Sequence, residues 1–144
     1  MNFWLIKSEP SVYSYDDLAR DGATAWDGVR NYQARNNLKS MKEGDCAVYY
    51  HSTEGLAVVG IARIVREHYP DPSAEGDRWV CVEVAPFLRF PEPVALSAIK
   101  ADERLATIGL IRQSQLSVMP LTDAEFFALL ELGGAAAGFQ KMLS

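Results

Sequence analysis

Trp26-Asp-Gly-Val-Arg30-Asn-Tyr32-Gln-Ala-Arg35-Asn-Asn-Leu38-Lys39-Ser-Met41-Lys42 is the stretch on which the reading of this chain turns. Ala34, Leu38 and Met41 recur at i, i+4 and i+7, which predicts a helix over Asn31 to Met41. Asp27-Gly28 favours left-handed backbone and predicts a turn just before it. Arg35, Lys39 and Lys42 share a second helical face. The stretch holds four basic residues and one acid, Asp27, in a chain with 14 Lys and Arg against 19 Asp and Glu. Cations pair with phosphates, and aromatic faces such as those of Trp26 and Tyr32 stack on bases at roughly 1–3 kcal/mol each. The amides of Asn31, Gln33, Asn36 and Asn37 can donate to and accept from a base edge. A solvated basic helix face beside a core aromatic accounts for the same residues equally well.

The rest of the chain bounds that reading. At 144 residues, with 49% hydrophobic and 23% charged residues, it has the balance of one globular domain with its own core. A net charge of -5 argues against a protein that coats nucleic acid non-specifically, but not against one that reads a single base in a locally positive pocket. Cys46 and Cys81 are the only cysteines, too few for a disulfide framework or a four-cysteine zinc site. No cofactor or metal is expected: His51 and His68 lack ligand spacing, and no glycine-rich phosphate loop occurs. No membrane span is expected, since no apolar run is long enough. Without a signal-peptide pattern at the N-terminus, a reducing, cytoplasmic setting is expected.

Outward from the central stretch, strands are expected at Phe3–Lys7, Cys46–His51, Leu56–Val65, Trp79–Val84 and Leu116–Val118. Gly60 inside the third predicts a bulge or a close backbone approach. Ser14 predicts the cap of a short helix that Gly22 ends, and Thr122-Asp-Ala-Glu125 a capping box opening a helix through Leu132. Ser97–Leu105 is a further short helical segment. Phe90-Pro-Glu-Pro-Val94 is not expected in mid-sheet, because its prolines remove ladder donors. Tyr69 to Asp77 is read as an exposed loop, and residues 135–144 as a loosely held tail after a domain spanning 1–134. Short strands outnumbering helices make this an α+β chain.

Two further groups carry polar chemistry. Lys7-Ser8-Glu9 precedes Pro10 at the end of the first strand, and Tyr50-His51-Ser52 ends another, with Tyr49 and His51 on one face and Tyr50 and Ser52 on the other. Ser8, Ser52 or Ser114 with His51 and Glu9 contains the residue types of a catalytic triad but no nucleophile motif, so no catalytic residue is assigned.

Trp4-Leu-Ile-Lys-Ser-Glu-Pro10, Trp26 to Leu38, Tyr50-His-Ser52, Val59-Gly-Ile-Ala62, Tyr69-Pro-Asp-Pro72 and Leu116-Ser-Val118 together resemble the EVE-domain family, in family order across about residues 3 to 134. The resemblance implies a PUA-like small mixed β-barrel with flanking short helices, akin to YTH and ASCH domains. YTH domains capture a methylated adenine in an aromatic cage, and eukaryotic EVE members are associated with modified cytosine in DNA. It therefore implies a partner, DNA or RNA bearing a modified base, and a monomer is favoured. The alternative is a small-molecule or nucleoside binder, or an ASCH-like hydrolase, using the same pocket. By the same resemblance the pocket is lined by Lys7, Ser8, Glu9, Trp26, Asn31, Tyr32, Gln33, Tyr50, His51, Ser52 and Tyr69. Trp26 is the stacking face, opposed by Tyr32 or Tyr69, and Arg30, Arg35, Lys39 and Arg112 are phosphate ligands. Where the family commonly has an arginine before Leu-Ser-Val, this chain has Gln115, which cannot make a bidentate contact.

Overall fold

In the computed structural model, which describes residues 1–144, six strands form one mixed sheet. They are β1 (Phe3–Ser8), β2 (Thr24–Trp26), β3 (Cys46–His51), β4 (Ala57–Pro70), β5 (Val80–Ala95) and β6 (Val118–Leu121), in the order β2-β5-β4-β3-β1-β6. Six helices accompany them: α1 (Tyr15–Asp21), α2 (Tyr32–Ser40), α3 (Leu96–Ala101), α4 (Gly109–Arg112), α5 (Asp123–Leu132) and α6 (Ala136–Leu143). The α+β architecture is as expected, but the edge strands β2 and β6 do not pair with each other, so the sheet is not closed.

Phe3 to Ile6 are buried, as a strand covered on both faces requires. β1 pairs in parallel with β3 and antiparallel with β6. That parallel pairing needs a crossover, supplied by α1, β2 and α2. On one side of the core Phe3 stacks on Phe126 of α5, with ring centroids 3.8 Å apart. Ser14 and Thr122 each make a complete capping box, with Asp17 and Glu125 as the reciprocal acids. Gly22 ends α1 with φ at 79°.

Four expectations are corrected. Tyr69 and Pro70, read as the start of an exposed loop, close β4, and Asp71 after them is buried. The Phe90–Val94 segment lies within β5, but the β4–β5 register jumps from Gly60↔Arg89 to Val58↔Val94. Pro91 and Pro93 therefore fall where β4 offers no partner, and the Glu92 N–H donates instead to the Gly133 carbonyl. Trp26, taken with Asp27-Gly28 as a turn, instead ends an edge strand, Thr24–Trp26, on β5. Residues 135–144 are no loose tail: α6 buries Phe139, whose ring lies 5.2 Å from that of Phe126.

Gly60 marks a bulge and a close approach at once. A Cβ there would lie 2.9 Å from both the Leu88 carbonyl oxygen and the Tyr15 ring. Tyr15 cannot retreat, because its hydroxyl donates to the Ile61 carbonyl at 2.8 Å and its ring is buried. Gly60→Ala is expected to cost about 1–3 kcal/mol through overpacking, read as a lower denaturant midpoint at unchanged slope. A midpoint equal to that of the wild type would show that the β4–β5 pair yields at this point.

Candidate functional site

A cavity of about 420 Å³ opens between the end of β1, the turn entering α1, β2 and the loop after it. That volume lies within the range of small-ligand sites. Four of the residues singled out from sequence line it: Lys7, Ser8, Trp26 and Arg30. Val12, Tyr13, Thr24, Asp27 and Ser117 complete its chemistry.

The walls are held by specific contacts. The Trp26 indole meets Tyr49 edge-on at 5.4 Å, and the Tyr49 hydroxyl donates to the Tyr13 carbonyl at 2.7 Å. Burial pushes the Tyr49 phenol well above its ordinary pKa, so it stays a neutral donor. The Lys7 backbone N–H donates to the Ser117 carbonyl at 3.0 Å and its Nζ to the Ser114 carbonyl at 2.8 Å. Burial pulls the Lys7 ammonium below the ordinary lysine value. The loop after β2 turns at Gly28, with φ at 80°, and is pinned to the end of β4 by Asp71. The buried Asp71 carboxylate accepts the Gly28 N–H at 2.8 Å and the Arg30 guanidinium at 3.0 Å.

The other sequence-predicted site residues lie outside this lining. Glu9 is exposed, and its backbone carbonyl accepts the Val12 and Tyr13 N–H groups. Asn31 caps α2, accepting the Ala34 N–H at 2.9 Å. Tyr32 stacks on Trp79 instead of facing Trp26. Gln33 meets the Gln113 amide at 3.4 Å beside a shallower cavity of about 290 Å³ that Arg112 and Gln115 also line. Tyr50 is buried in the core. The Ser52 N–H donates to the Ser8 carbonyl. Tyr69 lies under the Arg66 guanidinium at 3.8 Å and donates to Glu83 at 2.7 Å. Arg35 lies over the Tyr32 ring, and Lys39 is exposed on α2.

The triad residue types do not assemble. His51 Nε2 accepts the Tyr15 backbone N–H at 3.1 Å, which occupies the lone pair a general base would use. Burial also lowers its pKa, and no serine hydroxyl bonds to it. No three His, Cys, Asp or Glu side chains converge as a metal site would require.

Sequence reasoning missed Val12, Tyr13 and Thr24, which carry no motif, and gave no site role to Ser117 and Asp71 although both lie in blocks of the resemblance; all converge only through the topology. Asp27 did carry a signal, as the one acid in a basic stretch.

The sequence model of the EVE domain matches residues 2–132. Thymocyte nuclear protein 1 of Mus musculus is 36% identical over 165 residues, covering 91% of this chain and 73% of the mouse protein. The crystal structure of a protein from Agrobacterium tumefaciens is similar with a TM-score of 0.92 at 43% identity, over 94% of this chain and 96% of that one. Human THYN1 protein in complex with DNA containing 5-methylcytosine is similar with a TM-score of 0.86 at 33% identity, over 92% of this chain and 98% of that one.

Proposed function

The chain belongs to the EVE-domain family, and from that premise we propose that it is a non-catalytic module that captures a modified base of DNA, a methylated cytosine first among them, in the cavity beside Trp26. The observation that carries this reading is the cavity itself. Trp26, almost wholly buried, is part of its lining, with hydroxyl-bearing residues, Asp27, Lys7 and Arg30 around it. The similarity to a human protein whose structure holds DNA with 5-methylcytosine supports the choice of ligand.

A base stacked in a duplex cannot reach such a cavity, so it enters flipped out or from a single strand, at a cost of a few kcal/mol. Contact with the Trp26 indole and the exclusion of water offset that cost. Asp27 is suited to accept the exocyclic amine of cytosine, which a carboxylate recognises well. Ser8 and Ser117 bring hydroxyls that donate or accept. Lys7 and Arg30 supply positive charge for phosphates, the latter partly neutralised by Asp71. With so few cations, salt should weaken binding only modestly.

Calorimetry of the full chain against oligonucleotides that differ only in one 5-methylcytosine is the direct test, with tighter binding expected to the methylated one. If neither binds at low salt, the reading fails. Val12 is 72% exposed at the cavity mouth, so Val12→Trp should leave the fold intact while obstructing entry. It is expected to weaken binding to the methylated oligonucleotide about tenfold or more, equivalent to at least ~1.4 kcal/mol. Unchanged affinity in that variant would move the ligand to another surface.

A further inference from the structure

Tyr32 and Trp79 form an aromatic pair outside the cavity, and base capture makes no use of it. Tyr32 opens α2 and is 54% exposed; Trp79 stands just before β5, with ring centroids 4.9 Å apart and a tilt of 30°. The Arg35 guanidinium lies 4.9 Å from the centre of the Tyr32 ring. Its donors go to neutral acceptors, the Asn36 amide oxygen and the Arg78 carbonyl. Arg20, Arg66, Arg89 and Arg104 each pair with a carboxylate, whereas Arg35 and Arg78 do not. The Arg35 guanidinium, with no carboxylate partner, thus lies beside an aromatic pair made of exposed Tyr32 and half-buried Trp79, in a chain of net charge -5. The patch also continues from the cavity: Arg30, on the cavity wall, holds its guanidinium 5.8 Å from the centre of the Trp79 ring.

We propose that the Tyr32–Trp79 pair, with Arg35, docks the nucleotide adjacent to the captured one. That nucleotide's base stacks on the exposed surface of Tyr32 and Arg35, and its phosphate pairs with the free guanidinium charge. Aromatic rings and guanidinium planes both stack on unpaired bases, and neither selects among them. Capture would therefore depend on a strand being attached, not on which base comes next. Glu75 and Asp77 share the loop with Arg78, which keeps the favourable surface narrow, suited to one nucleotide and not to a length of duplex. The inference rests on base capture in the Trp26 cavity.

The experiment compares the full chain and its variants on two ligands, free 5-methyl-2′-deoxycytidine and a short single-stranded oligonucleotide containing it. Tyr32→Ser is expected to weaken oligonucleotide binding about tenfold and leave nucleoside binding unchanged, since stacking is lost only where a neighbour exists. Arg35→Gln should reduce the salt dependence of oligonucleotide binding with the same indifference to the nucleoside. An abasic site on either side of the methylated base should cost the wild type affinity on one side and cost Tyr32→Ser none there. If both variants bind the oligonucleotide as the wild type does, the adjacent docking surface is overturned while base capture stands. If the wild type binds neither ligand, base capture fails and this inference fails with it.

Discussion

Asp71→Ala is expected to lower the stability of the fold by about 2–4 kcal/mol, because hydrogen bonds to a charged, buried group are worth more than neutral ones and several are lost together. The carboxylate is 1% exposed. One oxygen accepts the Gly28 N–H and the Arg30 guanidinium; the other accepts the Ser73 N–H at 2.7 Å and its hydroxyl at 2.6 Å. Burial alone would push this carboxyl up, but the bonds from Ser73, Gly28 and Arg30 outweigh it and bring the pKa from 3.8 down to about 2. A folded-state value below the unfolded one means stability fully present above the unfolded pKa and lost as pH falls toward the folded one. The stability difference between the wild type and Asp71→Asn should therefore be constant above about pH 5 and shrink as pH approaches 2. A difference that does not change across that range would show that the charge of Asp71 contributes nothing. Base capture should weaken as well, because Asp71 holds the loop that brings Asp27 and Arg30 to the cavity.

Trp26→Ala combines the two other largest effects. The indole belongs to the core and is 9% exposed, so its removal is expected to cost about 3–5 kcal/mol. In the fraction that remains folded, affinity for the methylated oligonucleotide should fall about tenfold or more through loss of the apolar wall. Circular dichroism at the temperature of the binding measurement separates the two. Trp26→Phe, which keeps an aromatic wall and much of the volume, should recover stability more fully than affinity. A folded Trp26→Ala that still binds like the wild type would show that the base does not rest on this indole.

What could be read from the sequence followed the range of each signal. Helix caps are local, and Ser14-x-x-Asp17 and Thr122-x-x-Glu125 are legible as they stand. Gly60 was legible because a glycine in a β-branched run has few explanations. The prolines at 91 and 93 misled, since the rule that bars them from a ladder does not show where a bulge opens a gap in it. Phe139 was invisible for the opposite reason: a lone aromatic in a short, small-residue segment has no periodicity, and only the ring of Phe126 from α5 reveals its burial. At the site, Lys7, Ser8, Trp26 and Arg30 line one cavity. Asn31, Tyr50 and His51 sit near the same stretches of chain but are spent on a cap, the core and a backbone N–H. Val12 and Ser117 are more than a hundred positions apart, and no pattern along the chain could have paired them.

The place of β1 between β3 and β6 governs when the site comes into being. Its partner on one side, Cys46–His51, precedes β4 and β5 in the chain; its partner on the other, Val118–Leu121, follows them. Until that second partner is in place the apolar run Phe3 to Ile6 is an unpaired margin with a strong tendency to join other chains. The same late segment brings Ser114, whose carbonyl holds Lys7, and Ser117. Contacts over such separations are slow to form. A folding chain therefore gains its helix caps and the β4–β5 hairpin first, and competence to hold a base last, in the same event that removes its hazard of aggregation.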